Sequence, residues 1–367
     1  MSDDAQAPAN LFAAHQAFLR ERLQTILATL HPALRADVER ALAEKGKLLA
    51  HPRADASTLS PALPAGTWPL LTLLVAQHIA PDIDLTRAGK VALAVECFVC
   101  ALDLLDDVED EDQTPVVQEL GTGRILNVST ALLALSQLSL LSLRQQKVPP
   151  ALILRLLWAF DECTIGAVTG QHRDLLAEQR PAREFTREEC IEIAAGKAGA
   201  IMRLACQSGA ICAGASKKVM QQFAELGTTL GIAHQLDNDA HDLYHLLHHD
   251  FSPALDSGIS SGQPKSDLAR GKKTLPIVLS ALSLADQPGR EALANTFDAD
   301  LKNFTELSDK IKEEYRDILN EGILATWGIC LLYRERARER LQEIEVQRPV
   351  ALELRLLLGF ESSSGGT

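Results

Sequence analysis

The chain has 367 residues, 46% of them hydrophobic and only 4% aromatic, and a formal charge of -13. This Ala- and Leu-rich composition favours helices over sheets, the length suffices for a sizeable core, and the acidic balance argues against nucleic acid as a partner. Seven cysteines, odd in number and irregular in spacing, with no signal-peptide pattern before them, point to a reduced cytoplasmic setting, and no uninterrupted apolar run reaches the ~18 residues of a membrane span.

In chain order, residues 1–9 are polar and expected to be disordered. Helix patterns cover about 10–29 and 32–50, followed by a loop over 51–66 that carries Pro52, Pro61 and Pro64. Trp68 to Ile79 is helical. A long helix over 86–110 is expected to open on Thr86 as its cap. Pro115, Gly121 and Gly123 mark a loop over 111–123, and helix resumes over 124–144. Pro149 and Pro150 can start the next helix, to about residue 178. Thr186 with Glu189 is a capping-box signature opening a helix to about residue 213. Helix over 217–249, a Ser/Gly/Pro-rich mobile loop over 252–266, helices over 271–284, 286–294 and 307–345, and a disordered tail over 361–367 complete the reading. It is all-α, with one domain over 10–360.

Two acidic patches stand inside these apolar helices. The first, Asp106-Asp107-Val108-Glu109-Asp110, reads DDxxD. The second, Gln235-Leu236-Asp237-Asn238-Asp239-Ala240-His241-Asp242, reads QLxNDxxD. Residues four apart share a helix face, so Asp106 lies beside Asp110 and Asn238 beside Asp242. Like charges stacked in this way destabilise a helix unless a cation sits with them. Mg²⁺, which takes oxygen ligands and completes its shell with water and phosphate, fits best. Two such faces opposed to each other would clamp a diphosphate.

A diphosphate clamp also needs cations and an apolar cavity. Lys197 lies in the small-residue stretch Ala195-Gly196-Lys197-Ala198-Gly199-Ala200. Lys272 and Lys273 follow the mobile loop, whose closure would carry them over a phosphate. Ahead of the first patch, Phe98, Ala101, Leu102 and Leu105 are candidates for a pocket lining, with core packing the plainer reading of each. Small Ala101 would leave that pocket deep. Cys97 and Cys100 form a lone CxxC in an apolar helix, which reads as core. His241, His245 and His248 recur at helical spacing and read as solvated or supporting groups rather than a zinc site.

The order of these segments resembles the trans-isoprenyl diphosphate synthase (polyprenyl synthetase) family of class I isoprenoid enzymes. The resemblance rests on Asp106, Asp107 and Asp110; on Gly170, Gln171, Asp174 and Leu175 in a GQxxDL segment; on Lys197; on the QLxNDxxD run; and on the segment from Asp267 to Pro276 that ends Gly-Lys-x-Thr-Leu-Pro. It implies a single helical bundle around a central apolar cavity, three Mg²⁺ ions on Asp106, Asp107, Asp110, Asn238, Asp239 and Asp242, and a homodimer. It also implies that Lys197, Gln235 and Lys272 contact the diphosphate or the nascent cation, and that Gln171, Asp174 and Lys273 join the substrate site.

Elongating members carry a Gly-Lys-x-x-Arg-Pro segment for isopentenyl diphosphate, whereas Pro64-Ala65-Gly66-Thr67-Trp68-Pro69-Leu70-Leu71 stands here. Their Arg-Arg-Gly is replaced by Glu111-Asp112-Gln113-Thr114-Pro115, with Arg124 the nearby cation. Ala198 and Asn238 stand for a threonine and a carboxylate. The expected activity is Mg²⁺-dependent ionisation of an allylic prenyl diphosphate (C10 to C20), followed by cyclisation, deprotonation or water capture, as in a terpene synthase. The alternatives are prenyl transfer to a peptide or aromatic acceptor or to isopentenyl diphosphate, and a non-catalytic partner subunit.

Overall fold

The computed structural model describes residues 12–46, 48–49, 67–248, 267–345 and 352–360. The expected disordered ends, the proline loop over 51–66 and the loop over 252–266 lie outside these residues. Every regular element among the described residues is helical. The helices are α1 (Ala13–Leu27), α2 (Pro32–Glu44), α3 (Thr67–Ile79), α4 (Leu85–Glu109), α5 (Pro115–Leu141), α6 (Pro150–Ala177), α7 (Arg187–Ala194), α8 (Ala200–Cys212), α9 (Lys217–His248), α10 (Asp267–Arg270), α11 (Leu275–Ala285), α12 (Glu291–Lys302), α13 (Asp309–Glu345) and α14 (Leu352–Leu357).

Local chemistry explains most of the boundaries. The Thr186–Glu189 capping box forms as expected at the start of α7. The cap of α4 is Asp84 rather than Thr86: its carboxylate accepts from the Thr86 backbone N–H at 2.8 Å. The loop expected over 111–123 is largely helical, because Pro115 occupies the first turn of α5, where its missing N–H costs nothing. Gly121 alone breaks that helix, at φ 73° and ψ 154°. The helix expected over 271–284 begins only at Leu275, after a turn with Gly271 at φ 78°, and the one expected over 286–294 runs instead over Glu291–Lys302.

Contacts group the chain into two compact units. The first comprises Met1–Cys163, Met202–Gly227 and Arg338–Thr367, and the second comprises Thr164–Ile201 and Thr228–Ala337. In the first, α4 is buried on every side from Val91 to Ala101, which is why that stretch is apolar all round. Glu96 within it is fully buried and accepts from the Leu48 backbone N–H at 2.8 Å. In the second, Tyr315, Phe297, Leu319, Ile277 and Leu284 centre one apolar cluster, and Leu236, Leu275, Val278 and Ala194 centre another. All seven cysteines are buried and free of disulfides.

No uninterrupted apolar run of span length occurs, and Pro115–Gln146, the one described helix long and apolar enough to cross a membrane by length and average composition, is interrupted by Gln118, Glu119, Arg124 and Asn127. This helix mixes buried Ile125, Val128 and Leu132 with buried Ser129, Ser136 and Ser139, and the Ser139 hydroxyl donates to the Lys90 carbonyl at 2.8 Å.

In the second unit three segments meet backbone to backbone. A Cβ on Gly170 of α6 would stand 2.9 Å from the Gly196 carbonyl carbon, and a Cβ on Gly231 of α9 would stand 2.6 Å from the Gly199 Cα. The chain here, Ala195–Gly199, is a wide π-type turn linking α7 to α8, with Lys197 at φ -79° and ψ -105°. Gly231→Ala should therefore cost about 1–3 kcal/mol through overpacking. Gly121→Ala should cost about 1–3 kcal/mol although nothing lies within 4 Å of the added carbon, because its backbone region is essentially glycine-only. Denaturant unfolding of both variants checks these values, and an unchanged midpoint for either would remove its stated cause.

Candidate active site

The first acidic motif closes α4 in the first unit. Asp110 is the C-cap. The Glu111 N–H bonds the Val108 carbonyl at 3.2 Å and the Asp112 N–H bonds the Asp107 carbonyl at 2.7 Å, with Glu111 left-handed at φ 54°. This is a Schellman ending with glutamate where glycine is usual. Carboxylates here add to the negative end of the helix dipole, which makes the segment a strong attractor for cations. One cation is already present. Lys45 Nζ lies 2.6 Å from Asp107 Oδ2, and Asp107 also accepts from the Thr114 hydroxyl at 3.1 Å. Asp107 and Asp110 are buried and Asp106 is half-buried.

Lys45 was not legible as part of this motif, since it comes from the end of α2, 62 residues away. The expected nearby cation, Arg124, is instead engaged by Asp37, with Nε donating to Oδ2 at 2.8 Å. Upstream on α4, Ala101 is fully buried, Leu102 is half-buried, and Phe98 packs edge-on against Phe160 with ring centroids 5.2 Å apart.

In the second unit a small cleft open to solvent is lined by Asp174, Cys190, Ile193, Ala194, Lys197, Gln235, Asp239, Lys272, Lys273, Thr274 and Leu275. Six residues singled out from sequence thus share one pocket: Asp174, Lys197, Gln235, Asp239, Lys272 and Lys273. The glycine contacts explain how. Asp174 stands one turn after Gly170, Lys197 adjoins Gly196, and Gln235 and Asp239 stand one and two turns after Gly231. Lys197 Nζ lies 3.0 Å from Asp174 Oδ2, both side chains being largely buried, and the Gln235 amide donates to Asp239 Oδ1 at 2.9 Å.

Lys273 is placed differently from its neighbour. It is 3% exposed, its ammonium lies 3.3 Å from Asp298 Oδ1, and it donates to the Gly271 carbonyl. Burial lowers its pKa, with Asp298 opposing. Gln171 is buried on α6 but does not line the cleft. Asn238 and Asp242 are exposed on α9, and the Asn238 amide meets His234 Nε2 at 3.4 Å. His241 packs edge-on against Trp327 and Tyr244 stacks on His248; no group of three or more His, Cys, Asp or Glu side chains among the described residues is arranged to hold a metal ion. Cys190, Ile193 and Ala194 were missed as wall residues, although they recur at helical spacing on the face that ends in Lys197.

The donors fit a hard ion better than a soft one. The motifs offer oxygen atoms, whereas Cys190, the thiol in the cleft, is pushed up to about 12 by burial and then by Asp239, Glu189 and Asp174, and so stays protonated, the form that does not ligate metals.

The pattern of the Polyprenyl synthetase family matches residues 67–318. A geranylgeranyl diphosphate synthase of Mycobacterium tuberculosis (strain ATCC 25618 / H37Rv) is 30% identical over 271 residues, 72% of this chain and 72% of that protein. The tryptophan prenyltransferase ComQ of Bacillus spizizenii is 29% identical over 160 residues, 43% of this chain and 51% of the relative. The crystal structure of geranylgeranyl pyrophosphate synthetase from Pyrococcus horikoshii Ot3 is similar with a TM-score of 0.73 at 20% identity, covering 99% of this chain and 100% of that one. With more than half of its length matched, the chain belongs to the polyprenyl synthetase family and has the all-α isoprenoid synthase fold.

Proposed function

We propose that this protein ionises an allylic prenyl diphosphate and transfers the prenyl group to an acceptor other than isopentenyl diphosphate. The observation that carries the proposal is the cleft that gathers Lys197, Lys272, Gln235 and Asp239 from sequence positions far apart. Lys197, preoriented by Asp174, and Lys272 donate to the departing diphosphate oxygens. Gln235, held by Asp239, orients the same group. Mg²⁺, three ions by analogy with the family, would be held by Asp106 and Asp110 in one motif and by Asp239 and Asp242, with Asn238 beside them, in the other; Asp107 keeps Lys45 as its partner. Bound Mg²⁺ supplies neutralisation of the leaving charge.

The acceptor assignment rests on charge. A second diphosphate needs dedicated basic contacts. Arg124 is committed to Asp37, Lys45 to Asp107, and the segment from Glu111 to Pro115 is an acidic helix ending. The relative named as a tryptophan prenyltransferase supports an aromatic acceptor, such as a tryptophan side chain. The engagement of Arg124 and Lys45 among the described residues also favours, as a second reading, quenching of the cation by water, proton loss or cyclisation.

Purified protein given C10, C15 or C20 prenyl diphosphates with Mg²⁺ should release diphosphate without isopentenyl diphosphate, and should prenylate an added tryptophan peptide. Chelation of the metal should abolish release, and Lys197→Ala should lower turnover about 100-fold. Product formed only with isopentenyl diphosphate overturns the acceptor assignment. Hydrocarbon or alcohol as the sole product selects the second reading. No release in any mixture leaves a partner subunit as the remaining role. Ala101→Phe should shift preference to a shorter chain; an unchanged preference removes Ala101 from the pocket.

We also propose a homodimer, supported by the exposed apolar side chains Leu126, Leu138 and Leu141 of α5 and Leu154 and Trp158 of α6, all in the first unit. Leu138→Glu with Trp158→Glu should shift the mass in light scattering from dimer to monomer, and a wild-type monomer at micromolar concentration would refute the assembly.

A further inference from the structure

Lys272 and Lys273 both line the cleft, but the ammonium of Lys273 is buried against α12. That ammonium donates to the carbonyl of Gly271, which immediately precedes Lys272, and lies 3.3 Å from Asp298 Oδ1. Both oxygens of Asp298 also accept from the Ala182 backbone N–H, each at 3.1 Å. The flanks of Asp298 on α12, Phe297 and Leu301, are core residues at 1% and 3% exposure. The carboxylate is therefore fixed in place before it meets Lys273. Two further contacts clamp the same turn: Arg270 reaches Glu178 at 2.8 Å, and the Cys190 thiol donates to the Lys273 carbonyl at 3.5 Å. Gly271, at φ 78°, allows the chain to reverse between the clamps.

We infer that Asp298 is a positioning residue: acting through Lys273, it holds the Gly271–Thr274 turn so that Lys272 is presented to the diphosphate in the cleft. A buried ammonium needs its partner, since an uncompensated buried charge is costly. Loss of Asp298 therefore releases Lys273, and with it the carbonyl that Lys273 ties down. The inference rests on the proposed diphosphate site and deepens it.

Full-length wild type, Asp298→Ala, Asp298→Glu, Lys272→Ala and the double variant Lys272→Ala/Asp298→Ala are compared by two readouts. These are amide hydrogen exchange over residues 271–275, and calorimetric affinity for inorganic pyrophosphate with Mg²⁺. Asp298→Ala should speed exchange over 271–275 and weaken pyrophosphate about tenfold, equivalent to about 1.4 kcal/mol. Asp298→Glu should recover both properties. In the Lys272→Ala background, Asp298→Ala should cause no further loss of affinity, because the two act through one ammonium. Unchanged exchange over 271–275, unchanged affinity despite faster exchange, or an undiminished loss in the Lys272→Ala background each overturns the positioning role. Wild type that does not bind pyrophosphate overturns the diphosphate site itself, and with it any role for the turn.

Discussion

The pocket of the second unit rests on backbone contact at three glycines. Gly170 and Gly196 against each other, and Gly231 against the Ala198–Gly199 backbone, leave no space for a methyl group. The spacing of three segments is therefore set by main-chain atoms rather than by side-chain rotamers. This gives Lys197, Asp174, Gln235 and Asp239 mutual positions that do not depend on how the surrounding apolar core repacks. The wide turn at Lys197 belongs to the same arrangement. Such turns carry an extra residue within a helix and recur at functional sites, and here the extra residue brings a cation onto a face otherwise made of Cys190, Ile193 and Ala194.

Three lysines are held by carboxylates: Lys197 by Asp174, Lys45 by Asp107 and Lys273 by Asp298. These pairs do different work. The pair of buried Lys273 with half-buried Asp298 orders a turn, and the Lys45 pair ties α2 to the end of α4. The Lys197 pair faces a cleft, where, on the proposed function, an incoming diphosphate would replace Asp174 as the acceptor. A preoriented ammonium loses little freedom when it changes partner, which is the economical arrangement for stabilising charge that develops late. In a chain of net charge -13, such pairing keeps cationic groups at set places against a negative background.

Much of this could be read from residue order alone. The helical class and the capping box at Thr186 and Glu189 followed from local patterns, and the six residues that share a pocket are those singled out by motif order and the family resemblance. What could not be read depended on partners distant in sequence. Asp107 looks equivalent to Asp106 until Lys45 arrives from α2, and Lys273 looks equivalent to Lys272 until Asp298 arrives from α12. The misplaced start of α5 has a local cause. Pro115 and Gly121 both count as loop signals, yet proline in a first turn begins a helix, and the single glycine merely interrupts it. Asp84 was passed over for Thr86 as the cap of α4 for a similar reason: two good capping residues stand two apart, and only geometry chooses.

The distribution of sulfur has a practical consequence. Burial holds the thiols of Cys163, Cys190 and Cys206 near 12 and those of Cys212 and Cys330 near 11, so alkylating reagents find almost no reactive anion while the molecule stays closed. Modification then counts breathing events rather than intrinsic nucleophilicity. Because Cys190 and Cys330 belong to one unit and Cys163, Cys206 and Cys212 to the other, mass-resolved labelling would clock the opening of each unit separately, with no probe added to the chain.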